Sequence, residues 1–185
     1  MSHDQPEPFF LSRMTTPIGE ALLVTDAAER LCALDWSDYE DRMIHLLRQQ
    51  HGHTALQERT APARVTQALS GYFAGKPGRL DAIACRFGGT PFQREVWSAL
   101  RAIPAGATTS YGALAARIGR PDAVRAVGHA NGSNPISVVV PCHRVVGADG
   151  SLTGYGGGLA RKRWLLAHEG VALNAAGSVR LPADR

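Results

Sequence analysis

One stretch decides the architecture of the chain: Ile136-Ser137-Val138-Val139-Val140-Pro141-Cys142-His143-Arg144-Val145-Val146. Its run of β-branched residues favours burial, and Pro141 then interrupts the run. The residues that follow need polar partners or water. A thiol held where apolar and polar surroundings meet is the most chemically reactive position in the sequence, and the rest of the chain is interpreted around Cys142.

The composition indicates a globular protein. The chain has 185 residues, of which 44% are apolar and 19% charged, and this length fits one large domain or two small ones. No apolar run approaches the roughly 18 residues that a membrane span needs. The polar, acidic segment 1–8 differs from a signal peptide. We therefore expect a cytoplasmic protein without a membrane partner.

The chain has three cysteines: Cys32, Cys85 and Cys142. Their odd number and wide spacing argue against a disulfide framework and against a four-thiolate zinc site. Cys32 and Cys85 fit small buried hydrophobic residues. His45, His51 and His53 follow Cys32 in the sequence, but no pair among them has a convincing metal-ligand spacing. We expect no metal and no other cofactor.

The charge is unevenly distributed along the chain. Residues 1–90 contain 9 Lys and Arg against 11 Asp and Glu, whereas residues 91–185 contain 11 against 5. A basic second half beside a slightly acidic first half suggests that the second half meets a polyanion.

The first half of the sequence predicts a small sheet followed by helices. Three short strands are predicted over 9–16, 20–25 and 30–36, and their spacing indicates an antiparallel meander. Helices are predicted over 39–50, with Asp38 as the cap, and over 62–73. A glycine-rich connection over 76–89, with a candidate strand at 82–87, then leads into the second half.

The second half predicts mainly helices. Thr90-Pro91-Phe92-Gln93 has the residues of a capping box. Two short helices, over 110–118 and 122–131, are joined by a glycine-containing turn, which is the helix-turn-helix pattern. On spacing alone an ordinary helical hairpin is the commoner explanation, but the surplus of arginine here favours nucleic acid. A last helix is predicted over 159–169.

Cys142 needs a base, because a thiol is mostly protonated at neutral pH. Neighbours on an extended chain point to opposite faces, so His143 would reach the sulfur through a water molecule. The imidazole in turn needs an acceptor, and Glu169, at the end of an apolar helix, is better placed than the other acids, although it could be a solvated helix end. Three classes remain open: a cysteine hydrolase or acyl transferase, a thiol that accepts a group from nucleic acid, and a DNA-binding module with a packing cysteine.

The segment Pro141-Cys142-His143-Arg144-Val145 resembles the signature of the O6-alkylguanine-DNA alkyltransferases, or methylated-DNA–protein-cysteine S-methyltransferases. The similarity extends over about residues 9 to 173 and is closest to the bacterial stand-alone form. Further segments follow the family's order and spacing: Thr90-Pro91-Phe92-Gln93-Arg94-Glu95-Val96-Trp97, Ser110-Tyr111-Gly112, Arg125-Ala126-Val127-Gly128, Asn131-Gly132-Ser133-Asn134-Pro135-Ile136, Thr153-Gly154-Tyr155 and Trp164-Leu165-Leu166 to Gly170.

We therefore expect an α+β fold in three parts. Residues 1–88 form an N-terminal lobe with a three-stranded antiparallel sheet, helices and a linker. Residues 89–174 form a mostly helical alkyltransferase and DNA-binding domain that contains the helix-turn-helix and the active-site cysteine. Residues 175–185 form a loosely ordered tail.

The resemblance implies direct-reversal DNA repair. Cys142 takes the alkyl group from O6 of guanine, and also from O4 of thymine, and keeps it as a thioether, so each molecule acts once. His143 acts as a water-mediated base that Glu169 orients, and Tyr111 donates a proton or hydrogen bond to N3 of the leaving guanine. Asn134 ties the helix-turn-helix to the cysteine segment through backbone hydrogen bonds.

The resemblance also implies a partner, double-stranded DNA containing O6-alkylguanine. The protein binds the minor groove as a monomer and flips the target nucleotide; cooperative binding stays open. Arg125 replaces the flipped base in the stack, although a phosphate contact fits its spacing equally well. The small residues Ala126 and Gly128 let the helix approach the DNA, and Tyr111 contacts the phosphate of the flipped nucleotide.

The implied pocket for alkylguanine lies between Val145 and the loop Tyr155-Gly156-Gly157. Vertebrate members have a serine where Gly156 stands, so a side-chain contact from that position is absent here. The glycines suggest tolerance of alkyl groups larger than methyl. The alternative function is a lesion-sensing protein that binds alkylated DNA without transfer. Such relatives replace the cysteine, so Cys142 argues against it.

Overall fold

The computed structural model describes residues 7–180, which divide into two compact units between Gly89 and Thr90. This division is one residue beyond the domain boundary that the sequence predicted. Segment 1–6 and residues 181–185 lie outside the described residues, and so do the predictions that fall on them. Within residues 7–180, no helix is both long and apolar enough to cross a membrane.

The first unit contains a mixed four-stranded sheet with the strand order β3-β2-β1-β4. Strands β1 (Phe9–Thr16), β2 (Gly19–Thr25) and β3 (Leu31–Trp36) are antiparallel, as the sequence predicted. The prediction of three strands was wrong by one, because β4 (Leu56–Glu58) pairs in parallel with the start of β1. A three-residue strand whose pairing is distant in sequence has too few side chains to show an alternating pattern.

Two helices accompany the sheet, α1 (Glu40–His51) and α2 (Ala63–Phe73). The predicted cap of α1 was wrong: Asp38 lies inside a short 3-10 turn, and the N-cap position belongs to Tyr39. The candidate strand at 82–87 is reduced to one bridge, in which Leu31 exchanges two backbone hydrogen bonds with Ala84 and Arg86. One core cluster of this unit comprises Phe9, Leu11, Leu22, Val24, Cys32, Ala33, Met43 and Leu47.

The second unit begins with α3 (Pro91–Arg101), and its predicted capping box is confirmed. Thr90 Oγ1 accepts from the Gln93 backbone N–H at 3.1 Å, and Gln93 Oε1 accepts from the Thr90 backbone N–H at 2.9 Å. Trp97 is fully buried and donates its indole N–H to the carbonyl of Ala130 at 2.8 Å. Helix α3 is therefore hydrogen-bonded to the second helix of the predicted helix-turn-helix, which contains Ala130.

The helix-turn-helix is formed by α4 (Tyr111–Arg117) and α5 (Val124–Gly132). Ser110 caps α4 as predicted, since its hydroxyl oxygen accepts from the backbone N–H of Ala113 at 3.1 Å. Gly119 follows the C-cap residue of α4 and has a φ of 73°, a left-handed conformation that glycine adopts at little cost.

The nucleophile segment, residues 136–146, is buried throughout but is not an extended strand. Residues 137–139 form a turn in which Val138 has a φ of 70°, and Cys142–Arg144 form one turn of 3-10 helix. Only β6 (Val145–Val146) is extended, and it pairs in parallel with β5 (Thr109–Ser110). The expectation that Cys142 and His143 are neighbours on an extended chain was therefore wrong.

The chain ends with α6 (Leu159–His168) and a closed turn. Residues 175–180 differ from the predicted loosely ordered tail: Leu173 bridges to Val179, and Val179 donates its N–H to the Gly150 carbonyl at 2.8 Å. Val179 is 5% exposed and packs with Val146 and Leu166, so one apolar side chain orders this part of the tail.

Candidate active site

Cys142 lies at the start of the 3-10 turn, with 5% of its surface exposed. Its backbone N–H donates to the carbonyl of Val140 at 2.8 Å, which folds the chain tightly just before the thiol. The valines that precede it are buried, so the backbone that carries the sulfur is fixed by packing. A thiol on such a backbone has little freedom, and a reaction partner must come to it.

His143 is fully buried and bonded to Glu169. The distance from His143 Nε2 to Glu169 Oε1 is 2.8 Å, and the Glu169 side chain is 0% exposed. An ionised carboxylate can only accept, so Nε2 carries the proton and Nδ1 of a neutral ring carries the lone pair. Among the residues that the structure describes, Nδ1 has no hydrogen-bond partner. The ring is thus oriented as a base with a free acceptor nitrogen.

Arg144 completes the pairing of this carboxylate. It donates from Nε to Glu169 Oε2 at 2.8 Å and from Nη2 to Oε1 at 2.9 Å, and Nη1 donates to the carbonyl of Ile103. This two-point contact compensates the burial of both charges. The sequence reasoning gave Arg144 no role, because an arginine after histidine carries no signal that it will turn inward.

The pKa values of His143 and Glu169 are both lowered, but for different physical reasons. Burial lowers the pKa of His143, and the charges of Arg144 and Lys162 add to this against the attraction of Glu169. Burial alone would raise the pKa of Glu169, but hydrogen bonds from His143 and Arg144 outweigh it and hold the pKa well below its ordinary range. The resting pair is therefore a neutral imidazole beside a carboxylate.

Asn134 makes the backbone hydrogen bonds that the resemblance implied. Its Nδ2 donates to the carbonyl of Val140 at 2.8 Å, and its Oδ1 accepts from the N–H of Ile136 at 3.0 Å. These two bonds close the turn around Val138, whose left-handed backbone is costly for a β-branched residue. The side chain of Asn134 thus stabilises the strained turn that immediately precedes Cys142.

The residues of the expected pocket lie on two segments of this unit. The side chain of Val145 is buried directly after the 3-10 turn, and the ring centroid of Tyr155 lies 6.5 Å from that of His143. Gly157 is buried and Gly156 half-buried. The hydroxyl of Tyr111 is in weak hydrogen-bond contact with Thr153, at 3.5 Å from its carbonyl and 3.4 Å from its hydroxyl.

The expected DNA-contacting residues lie on α5. Arg125 and Ala126 are exposed and Gly128 is half-exposed. A Cβ at Gly128 would lie 3.9 Å from a ring carbon of Tyr111, so this glycine faces the tyrosine of α4. Arg125 has no ion pair among the described residues. An exposed, unneutralised arginine on the second helix is suited to a polyanion.

Lys162 is a second residue that the sequence reasoning missed. Its side chain is completely buried beneath the nucleophile segment, and its ammonium group contacts three backbone carbonyls. Lysine is rarely buried, so a lysine within a helix indicates a solvated face unless tertiary structure overrides it. The local sequence around 159–168 offers no sign of that override.

Comparison with known proteins gives family matches over most of the chain. The description "6-O-methylguanine DNA methyltransferase, DNA binding domain" matches residues 91–171, and "6-O-methylguanine DNA methyltransferase, ribonuclease-like domain" matches residues 11–85. These two ranges correspond to the two units of the structure.

Similar individual proteins point to the same family. A methylated-DNA–protein-cysteine methyltransferase of Salmonella typhimurium is 52% identical over 163 residues, which is 87% of this chain and 95% of that protein. The crystal structure of Mycobacterium tuberculosis OGT in complex with DNA aligns with a TM-score of 0.72 and 40% identity, covering 86% of this chain and 92% of that one. The crystal structure of Mycobacterium tuberculosis O6-methylguanine methyltransferase aligns with a TM-score of 0.67 and 37% identity, covering 96% of both chains.

Proposed function

The chain belongs to the methylated-DNA–protein-cysteine methyltransferase family, and from this premise we propose that Cys142 is the cysteine that receives the alkyl group. The activity is direct-reversal DNA repair, in which an alkyl group passes from DNA to the protein itself. The observation that carries the assignment is the orientation of His143: its Nε2 is bonded to Glu169, so its Nδ1 is a free acceptor on the residue that directly follows the only cysteine of the second unit.

The proposed step is a single displacement at the alkyl carbon. The sulfur of Cys142 forms a bond to that carbon while the bond from the carbon to O6 of guanine breaks, and the electron pair of that bond stays on the base. The thiol proton passes to Nδ1 of His143 through a bridging water, and Glu169 stabilises the imidazolium that forms. Tyr111 donates a hydrogen bond or its proton to N3 of the guanine. Where the proton is transferred, solvent water reprotonates the tyrosinate and takes up the proton that the His143 imidazolium releases, so both side chains return to their neutral forms. In net terms one proton passes from the thiol to guanine, and a thioether remains on the protein.

The thioether explains single use. A thioether sulfur is a poor leaving group, and no second nucleophile is needed for a reaction that ends at this point. Each molecule is therefore consumed by one lesion. We extend the substrate range to O4-alkylthymine, since its alkyl carbon is attached to an equivalent exocyclic oxygen.

DNA binding is assigned to the helix-turn-helix. An alkylated base inside a duplex cannot reach a thiol that is 5% exposed, so the nucleotide must leave the stack. We assign Arg125 to the vacated position in the stack, with Ala126 and Gly128 allowing close approach in the minor groove. Tyr111 stands next to Gly128 and contacts the phosphate of the flipped nucleotide. Val145 and the loop from Tyr155 to Gly157 form the pocket that receives the base.

The remaining assignments concern the whole molecule. Residues 89–174 carry both transfer and DNA binding, and residues 1–88 form a supporting lobe. The protein acts as a cytoplasmic monomer. These assignments rest on the family and on the basic charge of the second half, which is where all the residues assigned to DNA lie.

The test is the mass of the intact protein after incubation with a duplex that contains O6-methylguanine. We expect one methyl mass per molecule, located on the peptide that contains Cys142, and no further increase with excess substrate. Binding to the methylated duplex without any added mass would contradict the proposal and favour a lesion-sensing protein. Continued release of product beyond one equivalent would favour a hydrolase.

A further inference from the structure

Lys162 is completely buried, at 0% exposure, and the hydrogen-bond partners of its ammonium group are backbone carbonyls rather than a carboxylate. Burying an ammonium group is costly unless hydrogen bonds replace the lost water. The cost of burying this ammonium group is therefore offset by its hydrogen bonds. The acceptors of these bonds identify the segments that Lys162 holds together.

The three acceptors belong to two different segments. Lys162 Nζ donates to the carbonyl of Val145 at 2.6 Å, which lies in the nucleophile segment just after the 3-10 turn of Cys142. It also donates to the carbonyls of Thr153 at 2.9 Å and Gly154 at 3.2 Å, which begin the glycine-containing loop. An ammonium group has three donors, so all three are used. One side chain thus joins the two segments that border the expected pocket.

The loop that begins at Thr153 and Gly154 has no regular secondary structure that would fix it next to the nucleophile segment. Residues 151–155 belong to neither helix nor strand, and Gly154 and Gly158 have left-handed φ values of 38° and 89°. Glycine at such positions allows many alternative backbones. Arg161 adds a bond from Nη1 to the carbonyl of Gly157 at 3.0 Å, but its side chain is only half-buried. Lys162 is therefore the buried cross-link at the start of the loop.

The charge of Lys162 also acts on the reacting group. Burial lowers the pKa of Lys162 to about 8, and the negative charge of the Cys142 thiolate opposes that decrease. Electrostatic attraction is mutual, so the ammonium group stabilises the thiolate in the same measure. The same charge disfavours protonation of His143. Both effects are present below about pH 8 and are lost as the pH rises through that value.

We propose that Lys162 is a positioning residue for alkyl transfer: its ammonium group holds the Val145 carbonyl and the Thr153–Gly154 carbonyls together, and so fixes the base pocket beside Cys142. The proposal rests on the assignment of Cys142 as the alkyl acceptor. It concerns the chemical step and the pocket rather than the affinity for DNA, because none of the three bonded carbonyls lies on α4 or α5.

The test compares Lys162→Met with Arg163→Met, which removes an exposed cation from the next position of the same helix. The rate of adduct formation is measured by intact mass with free O6-benzylguanine and with an O6-methylguanine duplex. We expect Lys162→Met to react about 100-fold more slowly with both substrates, since displacing a reacting geometry by about 1 Å has that effect. Arg163→Met should keep the wild-type rate with free O6-benzylguanine, and Lys162→Met should bind unmodified duplex like the wild type.

The outcomes separate this proposal from the one it rests on. If the wild-type protein gains no mass, the assignment of Cys142 fails. If the wild type gains mass and Lys162→Met gains it at the same rate, only the role of Lys162 is overturned. A loss confined to the duplex substrate would also overturn it, since the free base requires no DNA contact.

A second measurement uses the unaltered protein, in case Lys162→Met does not fold. Lys162 has charge interactions with Cys142 and His143, and both of these groups act in their deprotonated forms, as thiolate and as neutral imidazole. A fall in rate between about pH 8 and about pH 9.5 is therefore the expected signature of Lys162. The same fall should persist in Tyr111→Phe. A rate that keeps rising over this range, or a fall that disappears in Tyr111→Phe, would overturn the proposal.

Discussion

Both units of the molecule pair arginines with buried carboxylates, but the pairs lie in different places. In the first unit the pairs Asp26 with Arg30 and Asp35 with Arg42 lie at the sheet, and each carboxylate side chain is 1% exposed. In the second unit, Arg117 and Arg125 are exposed without an ion pair among residues 7–180, while Arg144 and Lys162 are buried around the site. Pairing within a unit stabilises a fold, whereas unpaired cations remain available to a ligand.

The two buried thiols, Cys32 and Cys142, differ in the charges that surround the sulfur. Burial raises the pKa of Cys32 to about 12, and the negative charge of Asp26 adds to the increase. Cys142 is almost as buried, but it has a charge interaction with the ammonium group of Lys162, and the next residue in the chain is the histidine with a free ring nitrogen. The largest charge interaction of Cys32 is with a carboxylate and opposes its thiolate, whereas the ammonium group of Lys162 favours the thiolate of Cys142.

The largest expected effect, and the most direct test of this difference, comes from replacing each thiol in turn. Cys142→Ala should abolish the alkyl adduct completely while DNA binding persists, because the acceptor atom is gone and α5 is untouched. Cys32→Ala should form the adduct at the wild-type rate. Intact-mass analysis and a gel-shift assay measure the two properties. An adduct that persists in Cys142→Ala would move the acceptor role to another residue.

The second prediction concerns the unpaired cations. Arg125→Ala should slow transfer from duplex DNA by about 10- to 100-fold, because each factor of ten corresponds to about 1.4 kcal/mol of the cost of flipping that the side chain offsets. Transfer from free O6-benzylguanine should be unchanged. The matched control is Arg64→Ala, which removes an arginine that contacts Glu29 in the first unit. Equal losses on duplex and free base would contradict the flipping role.

The third prediction compares a buried carboxylate from each unit. Glu169→Gln should lower the free energy of unfolding by about 3–5 kcal/mol, because Arg144 then keeps its charge without a counter-ion. It should also slow transfer by about 100-fold, since a neutral amide does not stabilise the imidazolium that forms on His143. Asp35→Asn should lower stability through Arg42 without affecting transfer. Urea unfolding and adduct kinetics distinguish them, and a Glu169→Gln protein with the wild-type rate would remove Glu169 from the mechanism.

The smallest effect is expected from pH. The pKa of His143 lies below its ordinary value of 6.5, so the unfolded chain binds more protons as the pH falls through 6.5, and the free energy of unfolding decreases. His51 in the first unit is shifted in the same direction, mainly by burial, and contributes to the same decrease. NMR titration of the two rings separates their contributions. A midpoint for His143 at or above 6.5 would be inconsistent with a neutral base at rest.

Local signals in the sequence predicted much of this molecule. The capping box at Thr90 and the cap at Ser110 are formed by residues within one turn, so their geometry follows from sequence alone. The pairing of His143 with Glu169 was a candidate on sequence grounds, because Glu169 ends an apolar helix, but the resemblance was needed to assign it, because the two residues lie 26 positions apart. The resemblance also supplied the expectation that Asn134 would tie the helix-turn-helix to the cysteine segment through backbone hydrogen bonds, and the structure adds that these bonds reach Ile136 and Val140, on either side of Val138.

Other features depend on tertiary contacts that leave no local trace. The three residues of β4 pair with a strand more than forty positions earlier. The left-handed backbone of Val138 contradicts the preference of a β-branched residue and persists because the surrounding structure determines it. The burial of Lys162 depends on three carbonyls outside its helix. Strain and buried charge occur together beside Cys142, where local preference is overridden for function.

The closed turn at the C-terminus sets a limit on how the second unit can be shortened. Val179 covers Val146 and Leu166, and a Cβ on Gly150 would lie 1.9 Å from the Val179 carbonyl, so the two segments are in direct backbone contact. The family match ends at residue 171, before this turn begins. An expression fragment cut at that boundary would leave the apolar back of β6 open to water. A catalytic domain prepared for crystallisation should therefore extend at least to residue 180.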